Sequence, residues 1–185
     1  MKLVKRSELL DFLTYTDHRD EIRKSALAAK YLRRVIVADI LTFLFENAET
    51  IRYQILEMIR VEQIVREADI EHELATYNEL IGQDGELGCT ILIGIDDPEA
   101  RDEKLRQWLS LPNHLYVRMA DGSKIRATWD PRQIGEARLS SVQYVKFPVK
   151  GETPVACGCD MPGLSQETSL TNNQQVALKN DLTEV

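Results

Sequence analysis

The sequence predicts a single α+β domain in which N-terminal helices pack against a largely antiparallel sheet. The chain has 185 residues, of which 43% are hydrophobic, and this is enough for one core. Helical periodicity dominates up to residue 81, whereas alternating apolar residues and turn signals dominate after residue 87. Hairpin-type connections in the second half favour antiparallel pairing. We therefore treat residues 1–185 as one domain, and we expect the polar segment 160–185 to be loosely held unless Leu178 and Leu182 anchor a final helix.

The N-terminal half contains most of the predicted helices. Ser7 is placed to cap a short first helix, and a break is expected near Thr16 and Asp17 before a longer helix rich in Ala, Leu, Lys and Arg. Asp69 is placed to cap the last helix of this half. The predicted elements are helices over 7–13 and 19–34, a strand over 40–45, and helices over 50–66 and 69–81.

The C-terminal half is predicted to consist mainly of strands. Leu105 and Trp108 face inward on its one helix, and Asp121 and Gly122 mark the tight turn of a hairpin. The predicted elements are a strand over 87–95, a helix over 99–111, a hairpin over 115–129, a strand over 141–149 and a further strand over 154–157.

Composition argues against several classes of protein. The formal net charge is −7, whereas a dedicated binder of nucleic acid or of an anionic membrane presents an uncompensated basic surface. No segment approaches the roughly 20 apolar residues of a membrane span, and no apolar run of signal-peptide length follows the start. The three cysteines, Cys89, Cys157 and Cys159, are too few for a secreted disulfide framework. We expect a cytoplasmic protein whose partners include neither nucleic acid nor a membrane.

The common catalytic motifs are not found in the sequence. No Gly-rich phosphate loop follows a predicted strand, and no serine sits in a GxSxG setting. Asp69 and His72 have a spacing that suits two ligands of one metal, but a di-iron bundle needs two such pairs and carboxylates from four helices. Cys157 and Cys159 form a pair that is only weakly specific for a soft metal or thiol exchange. Metal and cofactor therefore stay unassigned.

Basic residues gather on one face of the helix predicted over 19–34. At about 100° per residue, Arg19, Arg23, Lys30 and Arg34 fall within about 60° of one another, and Arg33 lies close by. This stripe is either a solvated face or a surface that meets an anionic group of the protein or of a ligand.

Glu62 projects at the centre of the apolar face of the helix predicted over 50–66. Its direction lies between those of Ile55 and Met58, so the carboxylate is expected to be desolvated. A buried carboxylate pairs with a cation, binds a metal or stays neutral, and such groups cluster at functional sites. The alternative is a structural ion pair with Arg33, Arg34 or Arg66.

Other polar residues of these helices also have both a structural and a functional interpretation. Glu57 and Arg60 are three residues apart and are expected to pair along the helix surface, which is worth only about 0.2–0.5 kcal/mol. Glu73 and Asn78 flank the apolar stripe of the next helix, where a pocket is lined or where any amphipathic helix is polar.

Three motifs in this region resemble a known family. FENxxT begins at Phe45, QxxEMxRxE begins at Gln54, and ELxxYN begins at Glu73. Together they resemble the bacterial domain of unknown function 3501 family, and the likeness extends over most of the chain. The resemblance implies no established activity, cofactor or substrate. Members of this family are often encoded near rubrerythrin-like and iron-sulfur proteins. By association alone, the resemblance thus implies a redox or stress setting and a redox-protein partner. The motif positions single out Glu46, Asn47, Gln54, Glu57, Arg60, Glu62, Glu73, Tyr77 and Asn78.

The chain departs from the family pattern at its chemically reactive residues. Met161 precedes Pro162 where the family often has His-Pro, and neither the Cys157–Cys159 pair nor His72 belongs to the pattern. These departures move the site prediction away from histidine and cysteine.

Two hypotheses follow from these residues. In the first, Glu57 and Glu62 bind a cation or act as acid or base, Arg60 holds an anionic group, and Tyr77 and Asn78 orient it. The remaining lining residues of this pocket are Glu46, Asn47, Gln54, Glu73, Arg33 and Arg34. In the second, the protein is a noncatalytic interaction or assembly protein, and the same residues form an ion-pair network that fixes helix register, in one chain or across a homodimer. The first requires Glu57, Glu62 and Arg60 to converge on an open cavity, and the second requires direct pairing with Arg33, Arg34 or Arg66.

Overall fold

Two four-stranded antiparallel sheets form the centre of the protein in a computed structural model, which describes residues 2–184. The strands are β1 (Arg34–Val37), β2 (Leu41–Phe45), β3 (Leu87–Ile93), β4 (Leu115–Arg118), β5 (Lys124–Arg126), β6 (Val142–Phe147), β7 (Ala156–Cys159) and β8 (Gln166–Ser169). The first sheet has the order β1-β2-β3-β6, and the second has the order β5-β4-β7-β8.

Helices precede, separate and follow these strands. They are α1 (Phe12–Tyr31), α2 (Ala48–Val61), α3 (Glu67–Asn78), α4 (Pro98–Gln107), α5 (Leu111–His114) and α6 (Asn172–Thr183). None of the helices within residues 2–184 is long and apolar enough to cross a membrane. Helices set beside antiparallel sheets confirm the predicted α+β class.

The main hydrophobic core lies between the two sheets. Because side chains alternate along a strand, β2 and β6 place Phe43, Phe45 and Phe147 on the same inner face. The ring of Phe147 lies 6.3 Å from that of Phe43 and 6.2 Å from that of Phe45, measured between centroids. Leu115 and Val117 of β4 are fully buried in the same cluster, so both sheets contribute to one core.

The first three helices have a separate hydrophobic cluster. Ile51, Ile55 and Ile59 recur along one face of α2, where they pack with Tyr15 of α1 and Ile70 of α3. Burial of Ile51, Ile55 and Ile59 agrees with the predicted apolar face, whereas Val65, also predicted on that face, lies beyond the end of α2 and is 72% exposed.

Helix α1 differs from the prediction at both ends. It is continuous through Thr16 and Asp17, because Asp11 caps it by accepting hydrogen bonds from the backbone of Leu13 and Thr14. The predicted break is therefore wrong. The helix ends at Tyr31, which places Arg34 on β1 and removes two members from the expected helical basic stripe.

Strands β1 and β8 were absent from the prediction. β1 joins β2 through a tight turn in which Ala38 and Asp39 both have positive φ angles, 54° and 59°. β8 is polar and lies beside β7 and β1, where the hydroxyl of Thr168 donates a hydrogen bond to the carbonyl oxygen of Ile36. Short strands of this kind leave little periodicity to detect.

The C-terminal segment from residue 160 contains β8 and α6. Helix α6 begins at the cap residue Thr171 and buries Ala177, Leu178 and Asp181 against the rest of the chain. It therefore contacts the protein along a defined face.

Two glycines hold the end of α3 close to β3. A Cβ atom at Gly88 would lie 1.9 Å from the carbonyl oxygen of Leu80, and one at Gly82 would lie 2.4 Å from that of Glu86. Both obstacles are backbone atoms, so they cannot move as a side chain would. The approach of the two segments thus depends on glycine.

Gly88→Ala is expected to lower the free energy of unfolding by about 2–3 kcal/mol, because the backbone at Leu80 has to shift. Gly94→Ala is the matched control, since its Cβ would meet only the carbonyl oxygen of Ile40, at 3.8 Å. Urea unfolding followed by circular dichroism measures both. Equal losses in the two variants would show that the close approach at Gly88 is not a constraint.

Candidate functional site

Glu57 lies at the centre of a hydrogen-bonded cluster between α1 and α2. Its carboxylate accepts a hydrogen bond of 2.5 Å from the hydroxyl of Tyr15 and two from Arg19, at 2.7 and 3.0 Å. Arg60 lies farther away, with its Nη2 atom 3.6 Å from Glu57 Oε2. We call Tyr15, Arg19, Glu57 and Arg60 the Glu57 cluster.

The contacts of this cluster shift its pKa values. The hydrogen bonds from Arg19 lower the pKa of Glu57 to about 2, and the bond from Tyr15 contributes in the same direction, while burial opposes both. Burial and the neighbouring Glu57 raise the pKa of Tyr15, so its hydroxyl remains a donor. The Glu57 carboxylate is therefore charged at neutral pH and already accepts bonds on both oxygens. This arrangement holds a charge in place and makes Glu57 a poor proton acceptor.

Glu62 does not belong to the Glu57 cluster. Its side chain is exposed, so the prediction that it is buried is wrong. Helix α2 ends at Val61, and Glu62 is its exposed C-terminal cap. The N–H of Glu62 still bonds to the carbonyl oxygen of Met58, and the chain turns away only at the next residue, Gln63, whose φ is 51°. The carboxylate therefore lies at the exposed end of α2. Within residues 2–184, no ion pair joins Glu62 to Arg33, Arg34 or Arg66.

Arg33 and Asp181 form a buried ion pair that links distant parts of the chain. Arg33 donates two hydrogen bonds of 2.7 Å to the two carboxylate oxygens of Asp181, and a third of 3.0 Å to the carbonyl oxygen of Ala29. Asn47 donates a further bond of 3.1 Å to Asp181. Arg33, Asn47 and Asp181, which we call the Arg33 cluster, form one side of a polar cavity of about 680 Å³.

Glu46 is buried beside this cluster, between the first sheet and α2. Its carboxylate accepts hydrogen bonds from Thr50, at 2.5 Å, and from Thr90 of β3, at 2.7 Å. Asn47 caps α2 by accepting a bond from the backbone of Thr50. The FENxxT motif therefore builds the corner where β2 becomes α2.

The remaining predicted site residues have separate neighbours. Both backbone groups of Val4 bond to the Asn78 side chain, at 3.0 and 2.9 Å, which fixes the N-terminal segment against α3. Burial raises the pKa of Tyr77 of α3, the nearby Gln54 side chain of α2 opposes this shift, and the charge of Glu73 adds to it. Arg34 is exposed, and its carbonyl oxygen accepts a bond from α6. The predicted residues are thus distributed over several places and do not surround one pocket.

A second cavity, of about 620 Å³, opens between the end of α3 and the edge strand β6. Its walls contain three aromatic side chains, Tyr77, Trp129 and Tyr144. We call it the aromatic cleft. It is lined by Thr76, Tyr77, Glu79, Leu80, Cys89, Thr128, Trp129, Asp130, Gln133, Tyr144, Val145 and Lys146.

The loop that carries Trp129 is bound to β6 by backbone and side-chain hydrogen bonds. Thr128 and Lys146 exchange two backbone bonds of 2.8 Å. The Gln133 amide accepts a bond from the Tyr144 N–H and donates one to its carbonyl oxygen, both at 2.8 Å. Gln133 thereby occupies the edge of β6 in place of another strand. One wall of the aromatic cleft is fixed to the sheet in this way.

Of the cleft residues, only Tyr77 was predicted as a site residue. Tyr144 lies on the outer face of β6, and 43% of its surface is exposed. The alternation of side chains along β6 was the one feature of the sequence that could have indicated this position. Trp129 and Lys146 come from segments far from α3 in sequence, so no local pattern connects them with Tyr77.

The three cysteines are buried, and their thiols are not in the reactive thiolate form. Cys89, Cys157 and Cys159 are free thiols in the main core. Burial raises the pKa of all three, which keeps them protonated. Within residues 2–184, no group of three or more His, Cys, Asp or Glu side chains is arranged to hold a metal ion.

Glu57→Gln is expected to make the protein less stable by about 1–3 kcal/mol at pH 7, because Arg19 and Tyr15 lose a charged acceptor. The folded pKa of Glu57, about 2, is below its ordinary value of 4.5, so its stabilisation is complete above about pH 4.5 and is lost as the pH falls towards 2. The difference from the wild type should therefore narrow with acidity. Urea midpoints at pH 7, 5 and 3.5 test this, with the exposed Glu21→Gln as control. A difference that stays constant with pH would contradict the prediction.

Asp181→Ala is expected to cost about 3–5 kcal/mol, because it leaves the Arg33 guanidinium buried without its partner. The double variant Arg33→Met with Asp181→Leu removes both charges and should recover a large part of that loss. Thermal and urea unfolding of the three proteins measure the difference. A double variant as unstable as Asp181→Ala would show that the unpaired charge is not the cause.

Comparison with known proteins agrees with this fold. The model of a family described as a protein of unknown function (DUF3501) matches residues 3–182. A crystal structure of a novel protein of unknown function from Burkholderia pseudomallei superimposes with a TM-score of 0.89 at 25% sequence identity, and the match covers 98% of this chain and 100% of that one. No curated protein matches. Since the family model spans nearly the whole chain, this protein belongs to the DUF3501 family.

Proposed function

We propose that this protein binds a small organic molecule in the aromatic cleft. The observation that carries the proposal is the convergence of Tyr77, Trp129 and Tyr144, from α3, a loop and β6, around one cavity of about 620 Å³. Ligand sites are typically clefts of about 300–1,000 Å³ with apolar and aromatic walls and a few polar groups.

The walls of the cleft are held by contacts that a binding site requires. Gln133 bonds to the backbone of Tyr144 and fixes its main chain, and Gln54 lies close to the Tyr77 side chain. Supported side chains lose less conformational freedom when a ligand binds. The QxxEMxRxE and ELxxYN motifs contribute to this support through Gln54 and Tyr77.

The proposal assigns binding and not a reaction. Both oxygens of Glu57 accept hydrogen bonds within its cluster, and the exposed Glu62 stands outside it. The expected acid–base pair of Glu57 and Glu62 around Arg60 is thus not assembled. A reaction in the aromatic cleft would need a reactive group supplied by the ligand or a partner.

A noncatalytic role in assembly is the second candidate, and direct pairing favours it. Arg33 bonds to Asp181 and Arg19 bonds to Glu57, so ion pairs join helices to one another, although the partners differ from the predicted pairing of Glu57 and Glu62 with Arg33, Arg34 or Arg66. A homodimer, a redox-protein partner and a cytoplasmic location belong to this proposal. The redox setting is supported by the family resemblance alone, and the cytoplasmic location by the three free thiols.

Tyr144→Ala is expected to weaken binding of the neutral fluorescent probe N-phenyl-1-naphthylamine at least tenfold, because one aromatic wall is lost. Tyr31→Ala is the matched control, since Tyr31 is 78% exposed and does not line the cleft, and it should change the Kd less than twofold. Fluorescence titration measures the Kd, and near-UV circular dichroism checks that each variant is folded. If Tyr144→Ala binds the probe like the wild type, or the wild type does not bind it, the cleft is not the site. Probe-free protein that forms a stable dimer would then favour the assembly role.

A further inference from the structure

We infer that the ligand of the aromatic cleft is an aromatic acid, a flat ring system carrying a carboxylate, sulfonate or phosphate group that the ammonium group of Lys146 receives. This inference rests on the proposed binding function and names the class of ligand. The reason is that some polar groups of the cleft are already paired with other groups of the protein, whereas others are not.

Lys146 is a cation in the wall of the cleft. It is half-buried on β6, two residues from Tyr144, so both side chains extend from the same face of the strand. No ion pair within 4 Å involves it in the described part of the chain, residues 2–184. Its place in the wall of the aromatic cleft distinguishes it from the exposed lysines that also lack an ion pair.

The two carboxylates of the cleft are directed to another cation. Asp130 accepts hydrogen bonds from the Arg132 guanidinium, at 2.5 to 3.0 Å. Glu79 also interacts electrostatically with Arg132. Arg132 is highly exposed and does not line the cleft. The carboxylates of Asp130 and Glu79 are therefore attracted towards a cation outside the cleft. The charge of Lys146 is left for a ligand.

The aromatic walls also offer hydrogen-bond donors. Within residues 2–184, neither the indole N–H of Trp129 nor the hydroxyl of Tyr144 donates a hydrogen bond to another protein group. Burial, together with the nearby Glu46, raises the pKa of Tyr144, so its hydroxyl keeps the proton. Unpaired donors around an aromatic surface favour a ligand rich in acceptors, and an anionic acceptor makes the stronger hydrogen bond.

A cationic ligand is the other choice for an aromatic site, because a cation is attracted to the faces of Trp and Tyr rings. Here Lys146 would repel it, and Asp130, the carboxylate that could compensate, is occupied by Arg132. The groups of this cleft therefore favour an anion.

Two probes with nearly the same ring system test the charge of the ligand. 8-Anilino-1-naphthalenesulfonate is an anion, and N-phenyl-1-naphthylamine is its neutral counterpart without the sulfonate. The wild type should bind the anion at least tenfold more tightly. Lys146→Met keeps much of the side-chain length and removes the charge, so it should weaken the anion at least tenfold and change the neutral probe less than twofold. Lys179→Met, at an exposed lysine of α6, is the matched control and should leave both Kd values unchanged.

The outcomes separate this inference from the proposed function. If both probes bind and both are weakened by Tyr144→Ala, while Lys146→Met leaves the anion unaffected, the cleft is a ligand site and the preference for an acid is wrong. Equal or tighter binding of the neutral probe to the wild type also overturns that preference. If neither probe responds to Tyr144→Ala, both the cleft and the acid are wrong. If Lys146→Met has the same thermal unfolding midpoint as the wild type, its weaker binding of the anion is not caused by a less stable fold.

Discussion

The buried ion pair between Arg33 and Asp181 determines how the helices meet the first sheet. Arg33 stands between α1 and β1, and Asp181 lies on α6, 148 residues later. Asn47, which caps α2, bonds to the same carboxylate. One ion pair thus joins the end of α1, the start of α2 and the C-terminal helix. Because an unpaired charge in this position would be costly, each of the three segments depends on the other two for its place.

The polar motif residues of α2 connect neighbouring layers of the fold, each in a different direction. Near its start, Glu46 accepts hydrogen bonds from Thr50 of α2 and from Thr90 of β3. Further along, Glu57 bonds to Arg19 of α1, and Gln54 lies close to Tyr77 of α3. Each contact replaces a bond to water with one to another element, which specifies a single arrangement more strongly than apolar packing does. Many of the polar residues that were predicted as site residues therefore hold the helices and the first sheet in position. Tyr77 is one of them, and it also lines the aromatic cleft.

The sequence was sufficient to predict the class of fold, most helices and six of the strands, because each of these has its own apolar period. It was insufficient where a boundary decided the outcome. Glu62 keeps a helical backbone conformation, so its direction was predicted reasonably, but it stands at the end of α2 and is exposed there. Arg33 and Arg34 were likewise assigned to a helix that stops at Tyr31. Asp181 was not considered at all, since its partner is distant and a single acidic residue near the C-terminus has no local signature.

The aromatic cleft could not be predicted because its walls exist only after tertiary contacts form. Gly88 lets Leu80 and the end of α3 approach β3 within a distance that excludes a Cβ atom, which sets one wall. Gln133 sets the other by using its amide in place of a strand on the edge of β6. Without that amide the edge would have two unpaired backbone groups beside an exposed tyrosine, which is a surface that favours pairing with another chain. The contact that protects the edge is therefore also the one that holds the loop of Trp129 beside Tyr144, so the same loop closes the sheet edge and forms one wall of the aromatic cleft.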